Sequence, residues 1–357
     1  MGRHLICLID GTRVSANQTR EYMGYSNVYE LAYMLKLKDR SGEQRPQIVF
    51  YSSGISSQPD ARDLFSAATG RTIRAQILDQ YTNLCSNYDF SLHSDRRERD
   101  KIYLFGFSRG AMTARAVAGL IMEYGLLRPE YVRYAPQIVA DWEKREPRPD
   151  YVTLLPVDVE FIGVFDSVMG GIDRMRMFNP IWFPHQMLSE RCKCGIHLLA
   201  IDEDRVLFKN RSWELHNSRN GIMKQIWMPG VHSDVGGTGN EFWGRLSLLT
   251  MTYFIDKHTA LRLDTDWLEK KKNALRQDFR NGTYAIRRQR IPPLAVRRRP
   301  ERSSFACELT HPIVNKLPAL FEAHGRRRFA WRDRIFTPNF GDLEEDRGLQ
   351  MLLDKIL

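Results

Sequence analysis

Gly106-Phe107-Ser108-Arg109-Gly110 fits the pattern Gly-x-Ser-x-Gly. It ends an apolar run that starts at Ile102 and opens a stretch rich in small residues, among them Ala111, Ala114 and Ala118. A serine between two glycines at a strand-to-helix turn suits a nucleophile held in a strained backbone. Side chains at Gly106 and Gly110 would collide with such a turn. A plain glycine-rich connector is the other reading. A serine hydroxyl needs a base to take its proton, and the base needs an acid to orient it. Asp166 closes the run 159–166, directly after its apolar residues, and His232 closely follows the run 223–230. Nucleophile, acid and base in that order, each at the end of a separate run, fit acyl transfer through a covalent intermediate. Taken singly, Asp166 also reads as a turn residue and His232 as a hydrogen-bonded loop histidine. Asp234 competes for the role of acid. Two residues from His232 it is badly placed for the far ring nitrogen, and it is expected to shape the loop by tying backbone N–H groups near Gly236 and Gly237. The N–H of Arg109, at a helix start, is the expected oxyanion donor. A second donor is expected from Gly11 or Thr12, after Asp10 in "LIDGTR" (8–13), where an ordinary Asp-Gly turn is the alternative.

These residues need a frame that brings several run ends together. Apolar runs at 4–10, 47–52, 101–107, 159–166, 196–202 and 223–230 are rich in β-branched and aromatic residues and read as buried strands. Helical patterns lie between them: 26–37, opened by the capping pair Ser26-Asn27 with Val28, Leu31 and Leu35 on one face, then 71–88, and 241–258 after the last strand. The alternation predicts an α/β fold, a mainly parallel sheet covered by helices on both faces, with ligands at the carboxyl ends of the strands. The expected division is a catalytic domain over 1–258, with an insertion at 167–195, and a basic C-terminal region over 259–357 packed on it or extending it.

The insertion sets Met175, Met177, Phe178, Trp182 and Met187 among Arg174, Arg176 and Arg191. Following the acid-bearing strand it is expected over the site, where adaptable methionines and aromatics suit an acyl chain and arginines a phosphate. A helical insertion packing on its own body is the alternative.

Composition bounds the rest. Of 357 residues 43% are hydrophobic and 27% charged, enough apolar material for a large core. No apolar run is long enough to span a bilayer. The start "HLICLIDG" lacks a small-residue cleavage site and reads as a strand, which predicts synthesis in the cytoplasm without a leader. Five scattered cysteines predict reduced thiols, and Cys192-Lys193-Cys194 lacks a second pair at zinc spacing, so no metal and no cofactor are expected. The net charge of +10 is concentrated after residue 257, where 21 Lys and Arg face 13 Asp and Glu. Arg297, Arg298 and Arg299 form one of its clusters, which suits contact with the phosphates of an anionic membrane; a solvated basic face is the alternative. No zinc finger, RNA-recognition signature or recognition helix accompanies it, so nucleic acid is not the expected partner.

The segments "LIDGT", "SNVYELAYML", "YLFGFSRGAMTARAVAGLI", "IGVFDSV", "HLLAIDEDRVLF" and "PGVHSDVGG" occur in this order. Together they resemble the α/β-hydrolase family that carries a Gly-Phe-Ser-Arg-Gly-Ala elbow and includes type VI secretion lipase effectors with phospholipase A activity. The resemblance covers roughly residues 4–258. It implies Ser108 as nucleophile, Asp166 as acid, His232 as base, a phospholipid or other ester substrate, and delivery by a non-Sec secretion system or a peripheral seat at a membrane. Where the family usually has an Asp-Pro-Gly-type turn after its second strand, this chain has "YSSGIS" (51–56). A hydrolase of a small soluble ester or thioester, and a non-catalytic phosphate- or nucleic-acid-binding module, are the alternative functions.

Overall fold

A parallel strand buried on both faces needs apolar side chains on both sides, and the continuous apolar runs supply them. In the computed structural model, residues 1–11, 25–54, 71–95, 97–150, 152–169, 191–203, 205, 210–213, 221–286, 308–313, 317 and 347–357 are described. In chain order the elements are β1 (His4–Ile9), α1 (Asn27–Met34), β2 (Gln47–Ser52), α2 (Arg71–Asn87), β3 (Lys101–Phe107), α3 (Arg109–Glu123), β4 (Leu126–Leu127), α4 (Ala135–Lys144), β5 (Leu154–Leu155), β6 (Val159–Phe165), β7 (Cys194–Ala200), β8 (Ile222–Met228), α5 (His232–Val235), α6 (Glu241–His258), α7 (Thr265–Arg280), β9 (Glu308–Thr310) and α8 (Arg347–Ile356).

Seven strands form one sheet in the order β2-β1-β3-β6-β7-β8-β9, every neighbouring pair parallel. The chain is an α/β fold. Strand alternation sorts the core into two layers. Leu5, Cys7 and Ile9 of β1 with Ile102 and Leu104 of β3 face α2 and α3. Ile6, Leu8, Tyr103 and Phe105 face α1 and α6. Each such buried Leu or Ile contributes about 1.5–3 kcal/mol relative to exposure. From β1 the chain passes to β2 on one side and then to β3 on the other, so the strand order, not the strand direction, reverses at β1. A crevice opens at the carboxyl ends of strands at such a point.

Local signals work as the residue types require. The Ser26 hydroxyl accepts the Tyr29 N–H and caps α1. In that helix Val28, Leu31 and Met34 are fully buried, and Leu35 lies partly buried just past its end. In α3 every residue from Arg109 to Met122 is buried, including Ala111, Ala114 and Ala118, which lets the helix lie close on β3, β1 and β6.

Residues past 258 join the same core. β9 pairs with β8, and Leu275, Ile313, Leu317, Leu349, Leu353 and Ile356 are buried in the layer that holds α6. No helix among the described residues is long and apolar enough to cross a membrane.

Candidate active site

Five parallel strands end at one edge, and each delivers a polar residue there. Asp10 follows β1, Ser108 follows β3, Asp166 follows β6, Asp202 and Glu203 follow β7, and His232 follows β8.

Ser108 has φ 58° and ψ −124°, a left-handed conformation that ordinary side chains avoid. Its N–H donates to the Phe165 carbonyl (3.1 Å), which ties the turn to β6. The flanking glycines leave no room for a side chain. A Cβ on Gly106 would lie 2.5 Å from the Gly110 carbonyl oxygen, and one on Gly110 would lie 2.3 Å from the Ile9 oxygen and 2.4 Å from the Asp10 oxygen. α3 therefore starts directly on the carboxyl end of β1, with Arg109 as its first residue.

Asp166 also has a positive φ, 38°. Its N–H donates to the Leu198 carbonyl (2.7 Å), and its Oδ1 accepts the Ala200 N–H (2.9 Å). Its Oδ2 lies 2.7 Å from His232 Nδ1, and His232 Nε2 lies 2.9 Å from Ser108 Oγ. A carboxylate only accepts, so Nδ1 carries the proton and Nε2 is left to accept from the serine hydroxyl. Burial pushes the Asp166 carboxyl above its ordinary range, against the pull of the His232 hydrogen bond. All three residues are at most 5% exposed. The Phe107 ring packs on the imidazole at a centroid distance of 4.7 Å. This arrangement can move a proton from a serine hydroxyl to an imidazole whose tautomer is set by a buried carboxylate.

Other expected residues sit differently. The Gly11 N–H donates to Asp10 Oδ1 (2.7 Å), so this candidate oxyanion donor is engaged by its own neighbour. Gly11 is needed for packing instead: a Cβ there would meet the Phe107 ring at 2.5 Å. Thr12 lies outside the described residues, as do residues 170–190 of the insertion and Arg297, Arg298 and Arg299. Asp10 is buried and also accepts from the Ser26 hydroxyl (2.7 Å) and the Tyr51 hydroxyl (2.8 Å). Burial raises its pKa, and these donors oppose the rise. It thereby joins β1, α1 and β2 behind the crevice.

Asp234 lies in the loop, where its Oδ2 accepts the Val231 N–H (2.9 Å) and its Oδ1 the Asn240 N–H (2.7 Å), on either side of Gly236 and Gly237. The carboxylate lies against Gly230 and Gly239, whose missing side chains make space for it.

Reasoning from sequence missed Glu203. Its Oε2 accepts the N–H of His232 (3.2 Å), and Arg205 binds both of its oxygens. The available signal was the acidic pair Asp202-Glu203 just past a strand, at the sheet edge where ligands bind. Burial would raise the Glu203 pKa, but Arg205 outweighs it and holds the carboxyl below its ordinary range. Among the described residues no group of three or more His, Cys, Asp or Glu could hold a metal ion.

Comparison with known proteins adds the family. The uncharacterized protein YEL023C of Saccharomyces cerevisiae is 31% identical over 238 residues, which are 58% of this chain and 32% of that protein. A crystal structure of an uncharacterized protein from Pseudomonas aeruginosa aligns at 19% identity and a TM-score of 0.45, over 75% of this chain and 47% of that one. The structure of the Tle1 effector bound to the VgrG spike from the type 6 secretion system aligns at 21% identity and a TM-score of 0.39, over 66% of this chain and 51% of that one. The chain thus spans about a third of the yeast protein and about half of each solved chain. Residues 3–257 match the catalytic domain of the T6SS Tle1-like phospholipase effectors, and the chain belongs to that family.

Proposed function

We propose that the chain is a serine hydrolase of the α/β-hydrolase type that cleaves carboxylic esters, phospholipid acyl esters foremost, through an acyl-enzyme. Ser108 Oγ attacks the ester carbonyl carbon while its proton passes to His232 Nε2. Asp166 holds the imidazole in the right tautomer and stabilises the imidazolium. The negative oxygen of the tetrahedral intermediate is received by the Arg109 N–H at the start of α3 and by a second donor. The intermediate collapses, His232 returns the proton to the leaving alcohol, and the acyl group stays on Ser108. Water, deprotonated by His232, then releases the fatty acid and restores the serine. One observation carries this proposal: the continuous contact from Asp166 through His232 to Ser108, at 2.7 and 2.9 Å, at the carboxyl edge of a parallel sheet. Membership of a phospholipase effector family supports the lipid substrate.

In this proposal residues 1–258 are the catalytic unit, and the basic region after them seats the protein on anionic lipid. Delivery by a secretion system accords with the family. A fluorophosphonate should label the wild type and not a folded Ser108→Ala; equal labelling of both removes the serine mechanism. Vesicles of phosphatidylglycerol and phosphatidylethanolamine should yield free fatty acid, and added salt should loosen binding. Neutralising Arg297, Arg298 and Arg299 together should weaken vesicle binding and spare turnover of a short soluble ester, each suitably placed arginine being worth about 1 kcal/mol at an anionic surface. A wild type that ignores vesicles yet turns over soluble esters is a small-ester hydrolase instead.

A further inference from the structure

The loop between β8 and α5 carries His232, and three of its successive N–H groups are received by three different carboxylates. Gly230 donates to Asp202 Oδ2 (2.8 Å), Val231 to Asp234 Oδ2 (2.9 Å) and His232 to Glu203 Oε2 (3.2 Å). Asp234 belongs to the loop itself. Asp202 and Glu203 come from the end of β7, so the histidine is lashed to the strand that lies between its own and that of Asp166. Glu203 is the member that takes the histidine's own N–H. It is 7% exposed. Arg205 Nε donates to its Oε1 and Arg205 Nη2 to its Oε2, both at 2.7 Å, and the Arg205 N–H adds a third bond to Oε1 (2.9 Å). A planar guanidinium forked onto a carboxylate fixes direction as well as distance.

We propose that Glu203, clamped by Arg205, is a positioning residue for His232: it fixes the histidine backbone so that the ring spans Asp166 and Ser108. The proposal rests on the hydrolase reading above for its effect on rate, and on geometry alone for its effect on the ring. The imidazole has to satisfy 2.7 Å on one side and 2.9 Å on the other, so a shift of its Cα cannot preserve both contacts. A residue that only stabilised the fold would change unfolding and leave the hydrogen bond between His232 and Asp166 as it is.

The test uses the full chain with Glu203→Ala, Arg205→Ala and the conservative Glu203→Gln. Two quantities are read: kcat and KM on a short p-nitrophenyl ester, and the downfield proton resonance of His232 Nδ1–H, assigned by its loss in His232→Asn. Glu203→Ala should lose about 10²-fold in kcat with KM unchanged, the effect of a displacement near 1 Å on a reacting group, and its downfield proton should broaden or vanish. Glu203→Gln still offers an oxygen to the His232 N–H, but its NH2 then faces the Arg205 N–H and Nε–H, so it should recover part of the rate and the resonance. Arg205→Ala should fall between the two. Rate and resonance both unchanged in a folded Glu203→Ala overturn the proposal, as does the same result in Arg205→Ala should Glu203→Ala not fold. If the wild type hydrolyses no ester, the resonance decides. Its loss in Glu203→Ala then upholds the clamp and leaves the hydrolase reading as what failed, and its persistence overturns the clamp.

Discussion

Asp166→Asn should nearly abolish turnover without unfolding the protein, and the reason lies in the second partner of that carboxylate. Its Oδ1 accepts the Ala200 N–H at 2.9 Å while its Oδ2 faces His232 Nδ1 at 2.7 Å. An asparagine must choose which position keeps the oxygen. With the NH2 towards Ala200, two donors meet in a fully buried place, at about 1–3 kcal/mol. At about 1.4 kcal/mol per tenfold, the opposite flip is favoured by roughly five- to a hundredfold. That flip presents the NH2 to His232 Nδ1, which must then accept, so the ring proton moves to Nε2 and faces the Ser108 oxygen as a donor. A histidine in that tautomer cannot take the serine proton, and kcat should fall by about 10⁴-fold. The assay is kcat on a soluble p-nitrophenyl ester, with circular dichroism and thermal unfolding as controls. In Asp234→Asn both oxygens face N–H donors, Val231 and Asn240, so either flip leaves one donor against the new NH2. That variant should lose about 1–3 kcal/mol of stability and keep most of its turnover. A folded Asp166→Asn within tenfold of wild type, or an Asp234→Asn that is folded and dead, would refute the assignment of the acid.

Acid should destabilise the fold through two histidines that take no part in the chemistry. Burial holds His311 down at about 3 and, with the nearby Arg115 charge, holds His197 well below its ordinary value. The unfolded chain protonates both near pH 6.5 and the folded chain does not, so stability is full above about pH 6.5 and is lost as pH falls, at about 1.4 kcal/mol per pH unit for each histidine. Urea unfolding at pH 7.0 and 5.5 should differ by about 2.5 kcal/mol for the two together, because the unfolded histidines titrate across this interval, and His311→Asn should halve that difference; a flat profile contradicts the argument. Gly110→Ala would gain about 1 kcal/mol of helix propensity in open space. Its Cβ instead meets two backbone oxygens of the β1 end at 2.3 and 2.4 Å, so Tm and kcat should both fall, while Gly42→Ala, with nothing within 4 Å of its Cβ, should leave them unchanged.

Much of this frame is legible along the chain. A strand buried on both faces needs an unbroken apolar run, so β1, β2, β3, β6 and β8 are expected within two residues of where they lie. The crowding at Gly106 and Gly110 follows from what a tight strand-to-helix turn permits. The helices α4, α7 and α8 and the strand β9 were not expected. α7 buries only Leu275 fully, with Trp267, Leu268 and Phe279 partly buried on the same core among many charged residues, so its apolar stripe is weak against the charge around it, and β9, three residues long, has no periodic signal of its own. The contacts that join the site are further from local reach: Asp166 and His232 are 66 residues apart, and Ser108 and His232 are 124 apart. Strand order alone decides which run ends become neighbours. The sheet order β3-β6-β7-β8 brings Asp166, Glu203 and His232 to one edge. That same order gives His232 Nδ1 to Asp166, whereas the bonds of Asp234 to Val231 and Asn240 and of the Gly11 N–H to Asp10 form within single loops. Residue types and their succession determined which groups could do chemistry. Which of them touch was decided by the packing of parallel strands, because a hydrogen bond depends on separation in space and the sequence records only separation along the chain.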